Sequence, residues 1–300
     1  MNTLINTKLT LIGITNKNKM TVNYSFKSNP QFMVKTYLHI IMFLTFLITI
    51  SSSLNAQEMK HDSDKMEAFP KPKVIIFDVN ETLLDMTPLK KSVGKALNGR
   101  EDLLPLWFST MLHYSLVETL TENYHSFGEI GTAALMMVAE TQGIEISYDD
   151  AKKSIVTPLR SLPAHGDVVA GLKKLSKGGF GIVSLTNSSP IGVATQFKNA
   201  GLTEYFDNSY TVEAIQKYKP HLDTYKMVLN DLGIKPNEVL MVAAHAWDLA
   251  GAQKAGLQTA FIQRPGKVLY PNVEKPDYIV KDLNELVKIF EQKGYFKSDY

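Results

Sequence analysis

Short apolar runs that end on polar residues set the rhythm of this chain. Val74-Ile75-Ile76-Phe77 stops at Asp78, Gly181–Leu185 stops at Thr186-Asn187, Val239–Ala243 leads into Ala244-His245, and Thr259–Ile262 is a fourth such run. Runs this short, without polar alternation, predict parallel strands buried on both faces. Between them the apolar spacing turns helical. Val168–Leu175 runs into Gly178-Gly179, Ile191–Asn199 stops near Gly201, and Leu222–Leu232 stops at Gly233. A glycine just past the last turn is a common helix ending. Strands alternating with helices predict an α/β fold built on a doubly wound parallel sheet.

The stretch between the first two strands, about 100 residues, has no strand pattern. Leu103–Leu120 is apolar at helical spacing, and Ser126 with Glu129 and Ser147 with Asp150 read as N-cap pairs opening further helices. The expected organisation is a Rossmann-like core over residues 73–88 and 166–300, interrupted by a helical subdomain over 89–165. Such an insert sits above the carboxyl ends of the strands, where open α/β sheets bind their ligands.

Ahead of the core, Leu38–Ile50 (LHIIMFLTFLITI) is an apolar run preceded by Lys35 and followed by a small-residue stretch ending at Ala56. It falls short of the roughly 20 residues a membrane-spanning helix needs, and matches the core of a signal peptide. The expectation is export, to a periplasm, with cleavage after Ala56 and no stable membrane span after processing; an uncleaved membrane anchor is the alternative. Residues 1–32 would be an upstream extension if translation starts at Met33, and 57–72 a polar tether. The composition, 44% apolar and 21% charged over 300 residues, is that of a soluble globular protein. A net charge of +2 gives no reason to expect a nucleic-acid partner. The lack of cysteine excludes disulfides, thiol catalysis and thiolate metal sites.

Four segments place polar residues at strand ends: Phe77-Asp78-Val79-Asn80-Glu81-Thr82-Leu83, Leu185-Thr186-Asn187-Ser188-Ser189-Pro190, Tyr218-Lys219-Pro220 ahead of a helix carrying Tyr225, and Ala243-Ala244-His245-Ala246-Trp247-Asp248. Singly, each has an ordinary structural reading: Asp78 a turn residue, Lys219 a surface lysine, Thr186, Asn187 and Asp248 helix caps. Together they suit covalent chemistry. A carboxylate is a poor nucleophile in water, but at a strand end facing backbone N–H groups it is desolvated and aimed. Lys219 would hold its charge and orientation.

The order and context of these segments resemble the haloacid dehalogenase superfamily over roughly residues 73–292, with the closest match to the (S)- or L-2-haloacid dehalogenases, which carry a helical cap after the first motif. The resemblance implies that Asp78 attacks C2 of a short 2-haloalkanoate, that halide leaves, and that water cleaves the resulting aspartyl ester to give a 2-hydroxyacid of inverted configuration. It gives Lys219, Asp248 and Thr186 supporting catalytic roles. Val79, Asn80 and Tyr225 would line the substrate, with Asn187, Leu112, Phe127, Phe108 and Trp247 at the halide and apolar pocket; ordinary core packing is the alternative for the apolar ones. The partner would be a small-molecule 2-haloacid, and the family pattern admits a homodimer.

No cofactor and no metal are expected. Phosphotransferases of the superfamily carry a second aspartate where this chain has Asn80, and use carboxylates near Asp248 to hold Mg²⁺, where this chain has Ala243, Ala244, His245 and Ala246. An amide cannot donate and recover a proton as a carboxylic acid does, and hard Mg²⁺ wants oxygen ligands. The competing readings are a Mg²⁺-dependent phosphatase and an exported, non-catalytic binding protein on this scaffold. Phe108 departs from the pattern: it stands after Trp107, where dehalogenases of this type commonly have an arginine. A cationic halide cradle would be lost, leaving a narrow, dry pocket. Glu81 and His245 stand where a small residue and an amide are more usual. Both are expected on neighbouring loops, where Glu81 would accept one ring N–H of His245 and leave the other nitrogen to take a proton from water. The alternative is a turn cap and a structural hydrogen bond.

Overall fold

The computed structural model describes residues 70–296. The leader segment, its Ala56 cleavage site and the tether up to residue 69 lie outside the described residues. The strands are β1 (Val74–Phe77), β2 (Gly181–Thr186), β3 (Asn208–Thr211), β4 (Val239–Ala243), β5 (Gln258–Ile262) and β6 (Tyr278–Val280). All neighbours are parallel, in the order β3-β2-β1-β4-β5-β6. The helices are α1 (Thr87–Ala96), α2 (Leu104–Leu120), α3 (Phe127–Thr141), α4 (Tyr148–Leu159), α5 (Val168–Lys177), α6 (Pro190–Ala200), α7 (Leu222–Leu232), α8 (Ala246–Lys254) and α9 (Leu283–Gln292). Among the described residues no helix is long and apolar enough to cross a membrane.

Strand order reverses beside β1. The chain steps outward through β2 and β3, then returns to the other side for β4, β5 and β6. A crevice opens at the carboxyl end of the strands at such a switch point. Ile75, Ile76 and Phe77 are fully buried, and each such side chain contributes about 1.5–3 kcal/mol by leaving water. Phe77 registers with Ser184 on one side and Val242 on the other, and the Asp78 N–H still donates to Val242 O at 3.0 Å. Asp78 is thus the first residue past a paired, buried strand, held on both flanks.

The four apolar runs form the strands expected of them. β3 and β6 escape a search for apolar runs because they are edge strands. β3 reads Asn-Ser-Tyr-Thr, with only its last two residues buried, and in β6 Ile279 faces outward between two buried residues. Helices α1 to α4 make up the insert between β1 and β2. Both expected N-caps are present: the Ser126 and Glu129 side chains bond reciprocally with each other's backbone N–H, and Ser147 accepts from Asp150 N at 3.1 Å. Trp107 on α2 is fully buried and donates to Gly131 O on α3 at 2.8 Å. The helices approach closely there, since a Cβ at position 131 would lie 2.9 Å from Met111 Sδ. The neck is closed by a bridge between Leu84 and Ala164, with Asp85 N donating to Pro163 O and His165 N to Leu83 O.

Candidate active site

Asp78 is 5% exposed, and both carboxylate oxygens are engaged. Oδ1 accepts from Lys219 Nζ at 2.8 Å; Oδ2 accepts from Thr82 Oγ1 at 2.6 Å and faces His245 Nδ1 at 3.0 Å. The turn after β1 makes this arrangement. Glu81 has φ of +62°, a left-handed conformation uncommon for a residue with a Cβ. It doubles the chain back so that Thr82 reaches the aspartate four positions earlier. The same Thr82 hydroxyl accepts from Ala244 N at 2.9 Å, pinning the turn to the end of β4. Arg264 donates to Thr82 O at 3.0 Å and is held by a bidentate pair with Asp167 at 2.7 and 3.0 Å.

The Lys219 ammonium is buried and spends its three N–H groups on Asp78 Oδ1, on Leu185 O at 2.9 Å and on Asp248 Oδ2 at 2.6 Å. Burial opposes its charge, but the two carboxylates outweigh burial and raise its pKa above the ordinary lysine value. Lys219 is therefore a fixed cation. The other oxygen of Asp248 accepts from Tyr225 OH at 2.6 Å. Burial and the nearby Asp78 charge push Asp248 upward, against the pull of Lys219. Burial alone would also raise Asp78; the Lys219 and His245 charges and hydrogen bonds overcome it and hold this carboxyl well below the usual range. Asp78 is thus anionic although buried, the state a carboxylate nucleophile requires.

His245 stacks with two rings, Trp247 at 5.0 Å and Phe108 of α2 at 6.2 Å, at interplanar angles of 29° and 25°. Its Nε2 meets Glu81 Oε2 at 2.8 Å, so the expected Glu81–His245 contact is present. The other nitrogen departs from expectation. It faces Asp78 Oδ2 and is not free in the resting enzyme. Burial disfavours the charged ring, yet bonds to two carboxylates raise its pKa to about 9. With both nitrogens donating, resting His245 is an imidazolium.

The remaining expected residues sort by what they touch. Asn187 Oδ1 accepts from Lys219 N at 3.1 Å, tying the end of β2 to the lysine loop. Thr186 Oγ1 accepts from Ser188 N at 3.1 Å and so caps the turn after β2. Asn80 donates to Ser188 Oγ at 3.2 Å and accepts from Gln196 Nε2 at 2.8 Å, which turns its amide toward α6. Tyr225, expected on the substrate, is fully buried and bonds Asp248 instead. Val79 is fully buried, its carbonyl accepting from Leu83 N and Leu84 N. Phe127 packs on Tyr218 at 5.8 Å, and Leu112 is a partly buried part of the apolar cluster. A cavity of about 210 Å³ lies where α3 and α4 face α6, lined by Phe127, Ser188 and Gln196 among others.

Three participants went unrecognised in the sequence. Thr82 stood inside the first motif, four residues after Asp78, and that spacing was the available signal. Arg264 and Lys267 follow β5 and reach the site only through the fold. Lys267 Nζ lies 2.6 Å from Glu81 Oε1 and 5.5 Å above the Phe108 ring.

Known proteins resemble this chain in sequence and in fold. A family model described as haloacid dehalogenase-like hydrolase matches residues 72–256. The (S)-2-haloacid dehalogenase of Pseudomonas sp. (strain YL) is 29% identical over 220 residues, covering 73% of this chain and 94% of that protein. The (S)-2-haloacid dehalogenase 4A of Burkholderia cepacia is 30% identical over 192 residues, or 64% of this chain and 83% of that protein. The solved structure of the L-2-haloacid dehalogenase of Xanthobacter autotrophicus, with chloropropionic acid covalently bound, superposes with a TM-score of 0.67 at 26% identity, covering 73% of this chain and 98% of that one. The chain belongs to the haloacid dehalogenase-like hydrolases.

Proposed function

We propose that this hydrolase removes halide from short (S)-2-haloalkanoic acids through an ester on Asp78. The observation that carries the reading is the buried Asp78–Lys219–Asp248 arrangement at the end of β1: one anionic carboxylate, its charge fixed by one ammonium, at the switch point of the sheet. Related sequences carrying this activity, and a structural relative with chloropropionic acid covalently bound, support it. Asn80 argues against phosphoryl transfer: its amide is committed to Ser188 and Gln196, and it cannot donate and recover a proton as a carboxylic acid does.

In the first half-reaction an Asp78 oxygen displaces halide at C2. The C–O bond forms as the carbon–halogen bond breaks, and the halide departs with the bonding pair. Helices α1 to α4 act as the cap, with Phe108, Trp247, Leu112 and Phe127 excluding water from the halide. Alkylation removes the negative charge that held His245 protonated, so its ring gives up a proton to solvent. In the second half-reaction neutral His245, oriented by Glu81, takes a proton from the water attacking the Asp78 carbonyl carbon. The acyl C–O bond breaks, the 2-hydroxyacid leaves with the former Asp78 oxygen and takes up the second proton of the attacking water, and resting carboxylate and imidazolium are restored. The sum is haloacid plus water giving hydroxyacid, halide and one proton. Asp248 and Lys219 hold the oxyanion side without changing protonation.

The test is halide release from chloro-, bromo- and iodoacetate and from each enantiomer of 2-bromopropionate, with EDTA present. Release from the haloacetates and from the (S) enantiomer, yielding (R)-lactate, is expected. Phosphate release from p-nitrophenyl phosphate that requires Mg²⁺, with no halide release, would assign the chain to the phosphatases. Neither activity would leave a binding protein.

A further inference from the structure

Lys267, Glu81, His245 and Asp78 form a line of alternating charge from the surface to the nucleophile. Lys267 Nζ is 2.6 Å from Glu81 Oε1, Glu81 Oε2 is 2.8 Å from His245 Nε2, and His245 Nδ1 is 3.0 Å from Asp78 Oδ2. Lys267 is 21% exposed at its side chain and His245 6%, so the line runs inward into progressively drier surroundings. Glu81 thus serves two cations, one on each oxygen. We propose that Lys267 is a positioning residue: by sharing the Glu81 carboxylate it weakens the hold of Glu81 on the His245 proton, and so sets the pH at which the esterified enzyme turns over. The inference rests on the reading of His245 as the base for ester hydrolysis.

In the resting enzyme His245 faces two carboxylates, and Asp78 supplies one of them. Once Asp78 is an ester, Glu81 alone holds the ring proton. The other charges near His245 balance without it: Lys219, on the far oxygen of Asp78, is matched by Asp248. Phe108 and Trp247, stacked with the ring, carry no charge. Arg264 is paired with Asp167, and His165 Nε2 meets only the main-chain oxygen of Glu81, at 3.2 Å. Lys267 is therefore the cation placed to compete for Glu81. Its second contact, over the Phe108 ring at 5.5 Å, joins α2 of the insert to this line. An ammonium drawing density from Glu81 makes the carboxylate a weaker partner for the imidazolium and also repels it. Both effects favour proton loss, and loss of the proton is what readies His245 for the attacking water.

The experiment is the pH dependence of kcat for (S)-2-bromopropionate in the wild-type enzyme, Lys267→Met, Lys267→Arg and Glu81→Gln. Lys267→Met is expected to move the acidic limb to higher pH by about one unit, which is about tenfold in rate at a fixed pH on that limb. Lys267→Arg should leave the limb in place, and Glu81→Gln should move it to lower pH. The His245 ring, followed by NMR in the resting enzyme, should titrate at higher pH in Lys267→Met, a readout independent of turnover. A uniform loss of kcat in Lys267→Met with limb and ring titration unmoved would make Lys267 merely structural and overturn the proposal. His245→Asn separates the two ideas. If it accumulates ester while Lys267→Met shifts nothing, the base reading stands and only the role of Lys267 fails. If it accumulates none, the base reading itself fails.

Discussion

Replacing Lys219 by methionine tests the electrostatics of the site without changing its volume greatly. Lys219 is 1% exposed and bonds Asp78, Asp248 and the Leu185 carbonyl. Without the ammonium Asp78 keeps His245 and Thr82, but buried Asp248 is left without a counter-charge beside it, a loss of about 3–5 kcal/mol, with about 1 kcal/mol more from the unpaired carbonyl. The cost depends on pH with a defined sign. In the wild type Asp78 is depressed below its unfolded value, so its stabilisation is present above ordinary carboxylate pKa values and is lost as pH falls. In Lys219→Met one of the pair, most readily Asp248, which burial already pushes upward, takes a proton in the folded state. A raised folded pKa contributes stability at low pH that is lost as pH rises. The deficit relative to wild type, from urea unfolding, should therefore be largest near pH 8.5 and shrink by about 2 kcal/mol toward pH 5.5. Adding Asp248→Asn to Lys219→Met should recover part of the loss at pH 8.5. Equal deficits at the two pH values, with the second substitution only adding to the damage, would refute the charge balance described for this site.

Other expectations follow from the same contacts. His245→Asn should release about one halide per enzyme in a burst and then turn over slowly, because ester forms but water is not activated; unchanged steady-state halide release would return that role to Asp248 or Lys219. In the wild type the proton should be released to solvent together with the halide burst, as read by a pH indicator, since the resting imidazolium, with its pKa of about 9, loses its Asp78 partner on alkylation. Release in step with hydroxyacid instead would contradict that order. Thr82→Val should cost about 2–4 kcal/mol in urea unfolding, leaving Ala244 N–H unpaired and Asp78 Oδ2 short of a donor; a loss under 1 kcal/mol would show that the turn does not depend on this hydroxyl. N-terminal sequencing of the native protein should begin near Gln57; a chain retaining Met33 would refute cleavage.

Much of the site could be read from the sequence because its parts end apolar runs. Val74–Phe77 stopping at Asp78, and Val239–Ala243 stopping before His245, announce themselves locally, since a buried parallel strand needs an unbroken apolar stretch. The spatial pairing of Glu81 with His245 followed from placing both on adjacent strand ends. What escaped depends on turns and long-range returns. The role of Thr82 comes from the left-handed Glu81, which no residue preference signals. Lys267 and Arg264 lie beyond β5 and meet the first motif only when the sheet is assembled. The direction of His245 Nδ1, onto Asp78 rather than open space, set its resting charge and was likewise a matter of three-dimensional aim. The resemblance places Tyr225 on the substrate; its burial against Asp248 shows instead that α7 supports that carboxylate.

The central claim is that Asp78 becomes covalently bound, and isotope transfer addresses it directly. Excess enzyme is allowed one turnover of (S)-2-bromopropionate in H₂¹⁸O, and both the lactate and the peptide containing Asp78 are weighed by mass spectrometry. Attack of water on the Asp78 carbonyl carbon leaves ¹⁸O in the Asp78 carboxylate, while the lactate departs with an unlabelled enzyme oxygen. Label in the lactate after that single turnover, with Asp78 unlabelled, would mean that water attacks C2 itself and would contradict the account.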